Sequence, residues 1–428
     1  MRILITGARS PACLEWARLA RRAGAEAVFV ADSLAAPLAR FSSTVTEYIR
    51  LPAARGDEPD RAAHTKAYGM ALRDAAEQCR ADVILPTCEE AFYISHQKAL
   101  LSRHRPIVAD FNMMARLHHK YDFQQLVKSL PAGIQAHVIS PETHLLLDKR
   151  DVTKLARQKS KSEKWVLKPV WSRFATQTLV GLSTCELEQT CARLRIKPDT
   201  GAPWVAQEYI PGTENCSYSL LREGRLLAHV CYRPLYRAGT GTQGSGIYFQ
   251  PIECREIAEF VRAFAASTAV TGQFAFDYIR EAGPSGRIAV LECNPRATSG
   301  IHLLAGALDD ISARRLLRDF LLGESCGEQV ITSEAKPAMV TTAMLLFALP
   351  PALASSGLLS GAGNLRALQE FGAHWSAAHD VIYAQGDALP ALGQMPGFGE
   401  FAWNAISRRQ SLLAATTADI EWNGESLN

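Results

Sequence analysis

Two carboxylate residues, Asp277 and Glu292, are the first candidates for chemistry in this sequence, because the pattern around them predicts a β-hairpin. Residues 274–280 alternate aromatic side chains with small or charged ones, and residues 287–293 form a return strand after a turn that holds glycine and proline. Centring the turn on its Pro-Ser dipeptide places Glu292 opposite Asp277, with Cβ atoms ~5 Å apart. The pattern therefore predicts two acids that face each other across neighbouring strands.

Like charges in such a pair repel, so we interpret the pair as two sides of a cation site. Carboxylate oxygens are ligands that Mg²⁺ prefers. Asn294 shares the face of Glu292 because strand side chains alternate, and Arg296 follows two residues later. These four side chains predict a site for a metal and a phosphate. The alternative is a hairpin whose charged residues face water, which a register shifted by one residue would produce.

The composition is that of a globular chain long enough for several domains. Of its 428 residues, 47% are hydrophobic and 21% are charged, so we expect two to four domains. The net charge of +3, without a long basic run, argues against nucleic acid as a partner. The ten cysteines show no CxxC pair, so we expect reduced thiols in a cytoplasmic protein. No apolar stretch approaches the ~20 residues of a membrane span, and we expect no membrane association.

The N-terminal segment predicts a parallel sheet. A strand at Arg2–Thr6, a helix at Pro11–Ala23 and a strand at Glu26–Ala31 form a β-α-β unit. The intervening GARS has one glycine, so the dinucleotide-binding fingerprint is absent, although Asp32 stands where a ribose-binding acid would. A nucleotide-dependent dehydrogenase is therefore a weak alternative.

Acidic residues follow a further predicted strand at Val83–Pro86. Glu89 and Glu90 come after it, at the carboxyl end where open α/β sheets bind ligands. The alternative is a helix N-terminus, which favours acids without any ligand.

Two lysines are candidates for phosphate contacts. Lys120 lies within a predicted helix at Phe111–Leu130, and Lys168 ends the short strand pattern WVLKP. An ammonium group at a sheet edge suits phosphate as a compact point charge. The alternative for both lysines is a solvated surface position.

The second half of the chain predicts an antiparallel unit and a tail. A glycine-rich segment between Tyr236 and Tyr248 is either a lid over reactants or a linker. We expect strands at Trp204–Ile210, Cys216–Leu221, Leu226–Arg233, Ala338–Phe347 and Asp380–Gln385, and helices at Ile257–Ala269, Ile311–Leu322 and Gly399–Ala414.

The order of these pieces, from Met1 to about Leu322, resembles the ATP-grasp superfamily, especially the branch related to biotin carboxylase and the carbamoyl-phosphate synthase large chain. The most specific segment is ECNPRATSG, which resembles the metal-binding strand of the family. The resemblance implies that Glu292 and Asn294 hold Mg²⁺ and that Arg296 meets the reacting phosphate. The preceding Phe-Asp-Tyr likewise implies Asp277 as a metal ligand.

The resemblance also implies nucleotide and substrate contacts elsewhere. WVLKP and HHKYDF resemble the segments that carry the two phosphate lysines, which implies Lys168 and Lys120. QEYIPGTE resembles the interdomain hinge that binds adenine largely through its backbone. The implied contacts are Gln207, Glu208, Tyr209 and Ile210 for the base, Glu214 for the ribose, and Arg233 or Arg237 for the acceptor carboxylate.

One segment departs from the family pattern. The family has a glycine-rich loop after the lysine strand that closes over the triphosphate, whereas this sequence has VWSRFATQT. Ser172, Arg173 and Thr176 offer side-chain donors to phosphate in place of glycine backbone. Closure of this loop, and strong nucleotide binding, are therefore in question.

The resemblance implies a fold that mixes α/β and α+β units. We expect an N-terminal doubly wound parallel-sheet domain, two α+β subdomains that clasp the nucleotide, and a C-terminal extension, at residues 1–112, 113–205, 206–330 and 331–428. The implied activity is an ATP-dependent carboxylate–amine ligase with an acyl-phosphate intermediate, small-molecule acid and amine substrates, Mg²⁺ (or Mn²⁺), and a homodimeric assembly. The alternatives are a carboxylase or carbamoyl-phosphate-type enzyme, and a nucleotide-binding protein without turnover.

Overall fold

A four-stranded parallel sheet begins the chain. The computed structural model describes residues 1–56, 60–131, 138–171, 177–193, 203–239, 244–284, 286–324, 330–332, 334–356 and 365–427. The first strands are β1 (Arg2–Thr6), β2 (Ala27–Asp32), β3 (Glu47–Arg50) and β4 (Val83–Leu85), in the spatial order β3-β2-β1-β4 and all parallel. The predicted parallel sheet is therefore confirmed.

Helices cover both faces of this sheet. They are α1 (Pro11–Arg22) and α2 (Arg61–Cys79). Further along the chain come α3 (Glu90–His96), α4 (Phe111–His118) and α5 (Lys120–Lys128), with short 3₁₀ turns at Leu38–Phe41 and Ser102–His104. Successive β1 residues alternate between two cores: Ile3 and Ile5 pack with α1, and Leu4 packs with α2. Burial on both faces explains why the strands read as continuous apolar runs.

The predicted helix at Phe111–Leu130 is two helices that meet at His119. This residue has an extended backbone (φ −71°, ψ 106°), and its Nδ1 accepts the N–H of Asp122 at 3.1 Å, which caps the second helix. The break makes Lys120 the first residue of α5.

A small antiparallel sheet follows in the chain. Its strands are β6 (Thr143–Leu146), β7 (Lys164–Pro169), β8 (Leu179–Ser183) and β9 (Trp204–Glu208), in the order β6-β9-β7-β8, with helices α6 (Lys149–Gln158) and α7 (Thr184–Arg193). Trp165 and Leu167 on β7 pack with Leu155 and Leu187 in a core separate from the rest.

The third sheet is the largest and is mainly antiparallel. It contains β5 (Val138–Ile139), β10 (Gly212–Arg222), β11 (Arg225–Ala238), β12 (Ser245–Ile252), β13 (Gly272–Glu281), β14 (Ile288–Asn294), β15 (Val330–Thr332), β16 (Ala338–Met339) and β17 (His379–Asp380). Its helices are α8 (Arg255–Thr268), α9 (Gly300–Ala307) and α10 (Asp310–Leu317), which continues as a π-helical turn at Arg318–Leu322. Most of the predicted Tyr236–Tyr248 loop belongs to β11 and β12, and residues 240–243 lie outside the described part.

The β13–β14 hairpin pairs Asp277 with Glu292, as the sequence predicts. Near the turn, however, Arg280 pairs with Ile288, so the turn is centred one half-residue earlier than predicted. Leu291 is an extra residue in β14, and this bulge restores the offset before Glu292. The predicted pairing of Asp277 with Glu292 is confirmed, and the predicted centre of the turn was wrong.

A buried glutamine holds this bulge. Gln124 Nε2 on α5 donates to the carbonyl oxygens of Val290 and Leu291, at 2.8 and 3.0 Å. The contact fixes α5 against β14, one turn of helix from Lys120.

The tail is mostly helical, with α11 (Thr341–Ala343), a π-helical turn (Met344–Ala348), α12 (Leu349–Ser356), α13 (Arg366–Ala377), α14 (Leu389–Ser407) and α15 (Leu412–Ala415). The predicted strands at Ala338–Phe347 and Asp380–Gln385 were wrong beyond Met339 and Asp380. Alanine, leucine and methionine in the first run are strong helix formers, and an apolar run alone does not distinguish strand from helix. The predicted helix at Gly399–Ala414 is the end of α14 followed by α15.

The end of the tail binds back to the N-terminal sheet. The guanidinium of Arg9 lies 2.5 Å from Asp32 and 2.6 Å from Asp419. The side chains of Arg9 and Asp32 are almost fully buried, and that of Asp419 is 16% exposed. Asp32 is therefore committed to an ion pair, which removes it as a ribose-binding acid. Within the described residues, no helix has the length and apolar character that crossing a membrane requires.

Candidate active site

The acid pair lies on the neighbouring strands β13 and β14, near one edge of the large sheet. Asn294 Nδ2 donates to Asp277 Oδ2 at 3.1 Å, so the three predicted metal ligands share one face. Burial and the charge of Glu292 raise the pKa of Asp277 to about 7. A divalent cation between the carboxylates would relieve this repulsion, and the oxygen donors fit Mg²⁺. Within the described residues, no group of three His, Cys, Asp or Glu residues is arranged for a metal.

Two lysines converge on Glu292. The Nζ atoms of Lys120 and Lys168 each lie 3.6 Å from the same Oε2 atom, and the two residues are 3% and 5% exposed. Burial alone would raise the pKa of Glu292, but these ammonium groups overcome it and lower the pKa to about 2. Burial, together with the charge of Lys120, lowers the pKa of Lys168. Two cations share one carboxylate, which leaves a positive pole suited to phosphate.

Arg296 connects the acid pair to the N-terminal sheet. Its Nε donates to Glu89 Oε1 at 2.7 Å, and its Nη2 lies 3.5 Å from Asn294 Oδ1. Sequence reasoning placed Glu89 at a ligand-binding sheet edge but did not connect it to Arg296, because 207 residues separate the two. Glu90 has a structural role instead: Oε1 accepts the Thr6 hydroxyl at 2.7 Å and two backbone N–H groups of the turn after β4.

The predicted adenine hinge is only partly available to a base. The N–H groups of Glu208 and Tyr209 donate to the carbonyl oxygens of Glu142 and Lys164, at 2.8 and 2.9 Å. Gln207 is 1% exposed and donates from Nε2 to Thr143 at 3.2 Å. A base contact through the N–H groups of Glu208 and Tyr209 is therefore excluded in this conformation. Ile210 is buried at the end of the same segment.

The structure distinguishes between the two predicted acceptor arginines. Arg233 donates to Asn215 on β10. Asn215 lies opposite Tyr278, and the next pair along the two strands is Cys216 and Asp277. Neighbouring residues of a strand point to opposite faces of the sheet. The structure thus places Arg233 on the sheet face opposite Asp277, and the prediction for Arg233 was wrong.

Arg237 lies on the face of Asp277. It forms an ion pair with Glu214, the predicted ribose contact, and donates to the carbonyl oxygen of Gly244 at 2.8 Å. A ribose would therefore compete with Arg237 for Glu214. Ser172, Arg173 and Thr176, predicted to contact phosphate, lie outside the described residues.

A cavity of about 360 Å³ adjoins Arg296. Four parts of the chain line it: the carboxyl edge of the N-terminal sheet with the start of α1, the first residue of β12, the segment after β14, and the tail. Its lining residues include Ser10, Thr87, Glu89, His302, Phe401 and Leu413. The sequence gives no local signal for the tail residues, because only tertiary contacts bring them here.

No protein-family model and no curated protein matches the chain, but solved structures do. L-amino acid ligase from Bacillus licheniformis superposes with a TM-score of 0.53 and 16% identity, over 74% of this chain and 73% of that one. N5-carboxyaminoimidazole synthetase from Staphylococcus aureus gives 0.54 and 14%, over 78% and 80%. The biotin carboxylase domain of Hydrogenobacter thermophilus 2-oxoglutarate carboxylase, in complex with MgADP, ADP and bicarbonate, gives 0.54 and 13%, over 77% and 71%. The chain therefore has the ATP-grasp fold, as its sequence motifs indicate.

Proposed function

We propose that this protein is an ATP-dependent carboxylate–amine ligase that acts through an acyl phosphate. The observation that carries the proposal is the convergence of Lys120 and Lys168 on the Asp277–Glu292 pair, within a fold shared with an L-amino acid ligase. A carboxylate oxygen of the acid bonds to the γ-phosphorus of ATP while the bond to the β,γ-bridging oxygen breaks and ADP leaves. The amine nitrogen then bonds to the acyl carbon, phosphate leaves with the former carboxylate oxygen, and water takes the amine proton.

In this proposal the side chains position the reactants and neutralise the charge on the phosphates, and none of them forms a covalent bond with a reactant. Lys120 and Lys168 bind phosphate oxygens of the nucleotide. Asp277, Glu292 and Asn294 hold Mg²⁺, or Mn²⁺ as an alternative with the same preference for oxygen ligands, and the metal adds charge neutralisation. The MgADP bound to the 2-oxoglutarate carboxylase domain supports the nucleotide and the metal.

Trapping of the acyl phosphate tests the proposal without knowledge of the amine. With MgATP, hydroxylamine and a panel of carboxylic acids, we expect one class of acid to form a hydroxamate together with an equal amount of ADP. Hydroxylamine is a strong nucleophile that attacks an acyl phosphate in place of the amine. Mass spectrometry of the hydroxamate and coupled detection of ADP are the measurements. Release of ADP at an equal rate without any acid would contradict the proposal.

Carboxylation, or formation of carbamoyl phosphate, is a second candidate. The bicarbonate bound to the 2-oxoglutarate carboxylase domain favours it. The size of the cavity beside Arg296 argues for a larger acid. Its volume of about 360 Å³ is many times the ~30 Å³ share of one water molecule, so it is several times larger than a small anion such as bicarbonate needs. Stimulation of ADP release by bicarbonate alone would favour this second candidate.

We further propose that the protein is a homodimer that pairs through α14. Exposed apolar side chains recur every three or four residues on one stripe of this helix: Leu389, Leu392, Met395, Trp403 and Ile406. Thr342 Oγ1 donates to Gln394 Oε1 at 2.9 Å, which holds α11 against α14. The exposed Leu345 and Leu346, just after α11, therefore extend this surface. Glu400, the single charged residue in the helix sequence, turns inward and accepts the N–H of Ala35 at 3.0 Å. The stripe is therefore uncharged, which does not suit an acidic or basic partner.

A second copy fits this stripe because it is self-complementary. Antiparallel pairing about a twofold axis would place Leu392 of one copy against Trp403 of the other, with the small Gly399 near the axis. The stripe and its extension offer on the order of 800 Å² of apolar surface, which is what each partner of a standard interface buries.

Replacement of Ile406 by glutamate should dissociate this dimer. Ile406 is 73% exposed, so a charge there costs the folded monomer little but would be buried without a partner in the dimer. Sedimentation should show a dimer for the wild-type protein and a monomer for Ile406→Glu. Ile311→Glu, at a residue 65% exposed on α10, is the matched control and should remain dimeric. A wild-type monomer at micromolar concentration would overturn the proposal.

A cytoplasmic location and the absence of nucleic acid partners stay predictions. The cysteines of the described part are free thiols, most of them buried, which fits a reducing compartment.

A further inference from the structure

We propose that the C-terminal tail determines substrate specificity, and that it selects carboxylic acids with an apolar body. This inference rests on the ligase function proposed above and names the class of acid that the enzyme takes. The cavity of about 360 Å³ beside Arg296 is the binding space concerned.

The charged residues that line the cavity are already paired with one another or with neighbours. Arg9 lies between Asp32 and Asp419, and Nδ1 of His302 lies 2.9 Å from Oε2 of Glu15. The remaining charges are those of Glu89 and Arg296, which form their own ion pair at 2.7 Å. Arg296 pairs with Glu89 through Nε, while its Nη2 lies near Asn294, so among the described lining residues it is the cation that a substrate carboxylate could reach beside the predicted metal ligands.

The position of Arg296 sets the direction of the substrate. Its Nη2 lies 3.5 Å from Asn294, on the side of the metal ligands and the two lysines. A carboxylate held there faces the phosphate pole, so the rest of the acid extends into the cavity and away from the lysines.

The surface of the cavity is mostly apolar, and the tail supplies part of it. Pro11 and Ala12 line it from α1, and Val340, Phe401 and Leu413 line it from the tail. A charged body would lose water there and find mainly hydroxyl groups, such as those of Thr416 and Thr417, as partners, which disfavours it relative to an apolar body. The volume is many times the ~30 Å³ share of one water molecule, which leaves room for an arylalkanoic acid or a large apolar amino acid.

The tail is fixed in this position by Arg9. The Nη1 atom of Arg9 donates to the carbonyl oxygen of Thr416 at 2.9 Å and lies 2.6 Å from Asp419. Thr416 and Thr417 themselves line the cavity. The wall is therefore built into the fold and does not depend on the substrate to form it.

Acid selectivity of Phe401→Ala tests the proposal. The hydroxylamine assay is run with 3-phenylpropionate, L-phenylalanine, succinate and glycolate, so that the acids differ in body polarity and in the α-amino group. For the wild-type enzyme we expect a kcat/KM at least about tenfold higher for an apolar acid than for succinate. Phe401→Ala and Leu413→Gln should reduce this ratio about tenfold, because a large apolar contact is worth ~1–3 kcal/mol in such a pocket.

The ratio of two acids within one variant does not depend on the fraction of active protein. Phe398→Ala is the matched control, since Phe398 lies three residues away on the same helix, is 48% exposed and does not line the cavity. Its ratio should equal that of the wild-type enzyme. Preference of the wild-type enzyme for succinate, or an unchanged ratio in both tail variants, would overturn the inference and leave the ligase function standing.

A binding measurement separates this inference from the ligase function. Calorimetric titration of 3-phenylpropionate into the wild-type protein and into Phe401→Ala requires no turnover. If no acid forms a hydroxamate but 3-phenylpropionate binds and Phe401→Ala weakens it, the ligase function is wrong and the apolar pocket stands. If the acid neither binds nor reacts, the inference is wrong.

Discussion

Glu292→Gln is expected to lower hydroxamate formation by about a thousandfold or more, the largest loss among single substitutions in the site. The change removes one of two carboxylate ligands from the metal site. It also leaves the ammonium groups of Lys120 and Lys168, each 3.6 Å from the lost charge, without their shared anion. Removal of one oriented charge from such a site costs about 10²–10³ in rate, and loss of the metal adds to this.

The same substitution is expected to lower the free energy of unfolding. Breaking a fully buried ion pair by removing one partner costs about 3–5 kcal/mol. Glu292 serves two buried lysines but is itself 27% exposed, so we expect a loss toward the lower end of this range. Urea denaturation measures this effect without nucleotide. Glu281→Gln is the control on the same hairpin: its pair with Arg287, at 2.9 Å, lies at the surface, so activity should be unchanged and stability should fall by less than about 1 kcal/mol. If the activity of Glu292→Gln were close to that of the wild-type enzyme, the assignment of Glu292 as a metal ligand would be wrong.

Lys168→Met is expected to reduce kcat/KM for ATP by about a hundredfold or more while leaving stability nearly unchanged. Lys168 is 5% exposed, and burial lowers its pKa, so the folded protein gains little from this charge. Lys120 still pairs with Glu292 after this change, at 3.6 Å, and the methionine side chain fills the space of the lysine stem. A large loss of activity without a loss of stability is the signature of a phosphate-binding role.

Lys164→Met on the same strand provides the comparison. Lys164 is exposed at the start of β7, four residues from Lys168, and its loss should leave both activity and stability intact. Steady-state kinetics and thermal denaturation of the two variants, measured side by side, give the test. If Lys168→Met kept its kcat/KM for ATP, the lysine would be a structural member of the Glu292 ion pair only.

The candidate site could be predicted where local pattern determines geometry. Strand alternation was enough to place Asp277, Glu292 and Asn294 on one face, even though the bulge at Leu291 was invisible in the sequence. The Lys-Pro sequence likewise predicted that Lys168 lies at the end of its strand, and β7 ends at Pro169.

Long-range contacts explain what sequence reasoning missed. The face that Arg233 occupies relative to Asp277 depends on the register of β10 against β13, and these strands are not neighbours in the chain. The pairing of Glu89 with Arg296 likewise requires the N-terminal sheet to meet the large sheet. No local pattern encodes either contact.

The tail shows a third limit. Its apolar runs fitted strand and helix equally well, and only packing against the sheets decides between them. Phe401 and Leu413 reach the cavity because Asp419 binds Arg9 from 410 residues away. That contact holds the tail beside the candidate site.

The dependence of nucleotide binding on metal is the most direct test of the central claim, that two carboxylates and an amide hold a cation beside two phosphate-binding lysines. Equilibrium binding of ADP should be measured with Mg²⁺ and again with EDTA, for the wild-type protein and for Glu292→Gln. The account predicts that Mg²⁺ strengthens wild-type binding by at least about tenfold, or ~1.4 kcal/mol, and that Glu292→Gln abolishes this gain. Equal wild-type affinity for ADP with and without Mg²⁺ would contradict it.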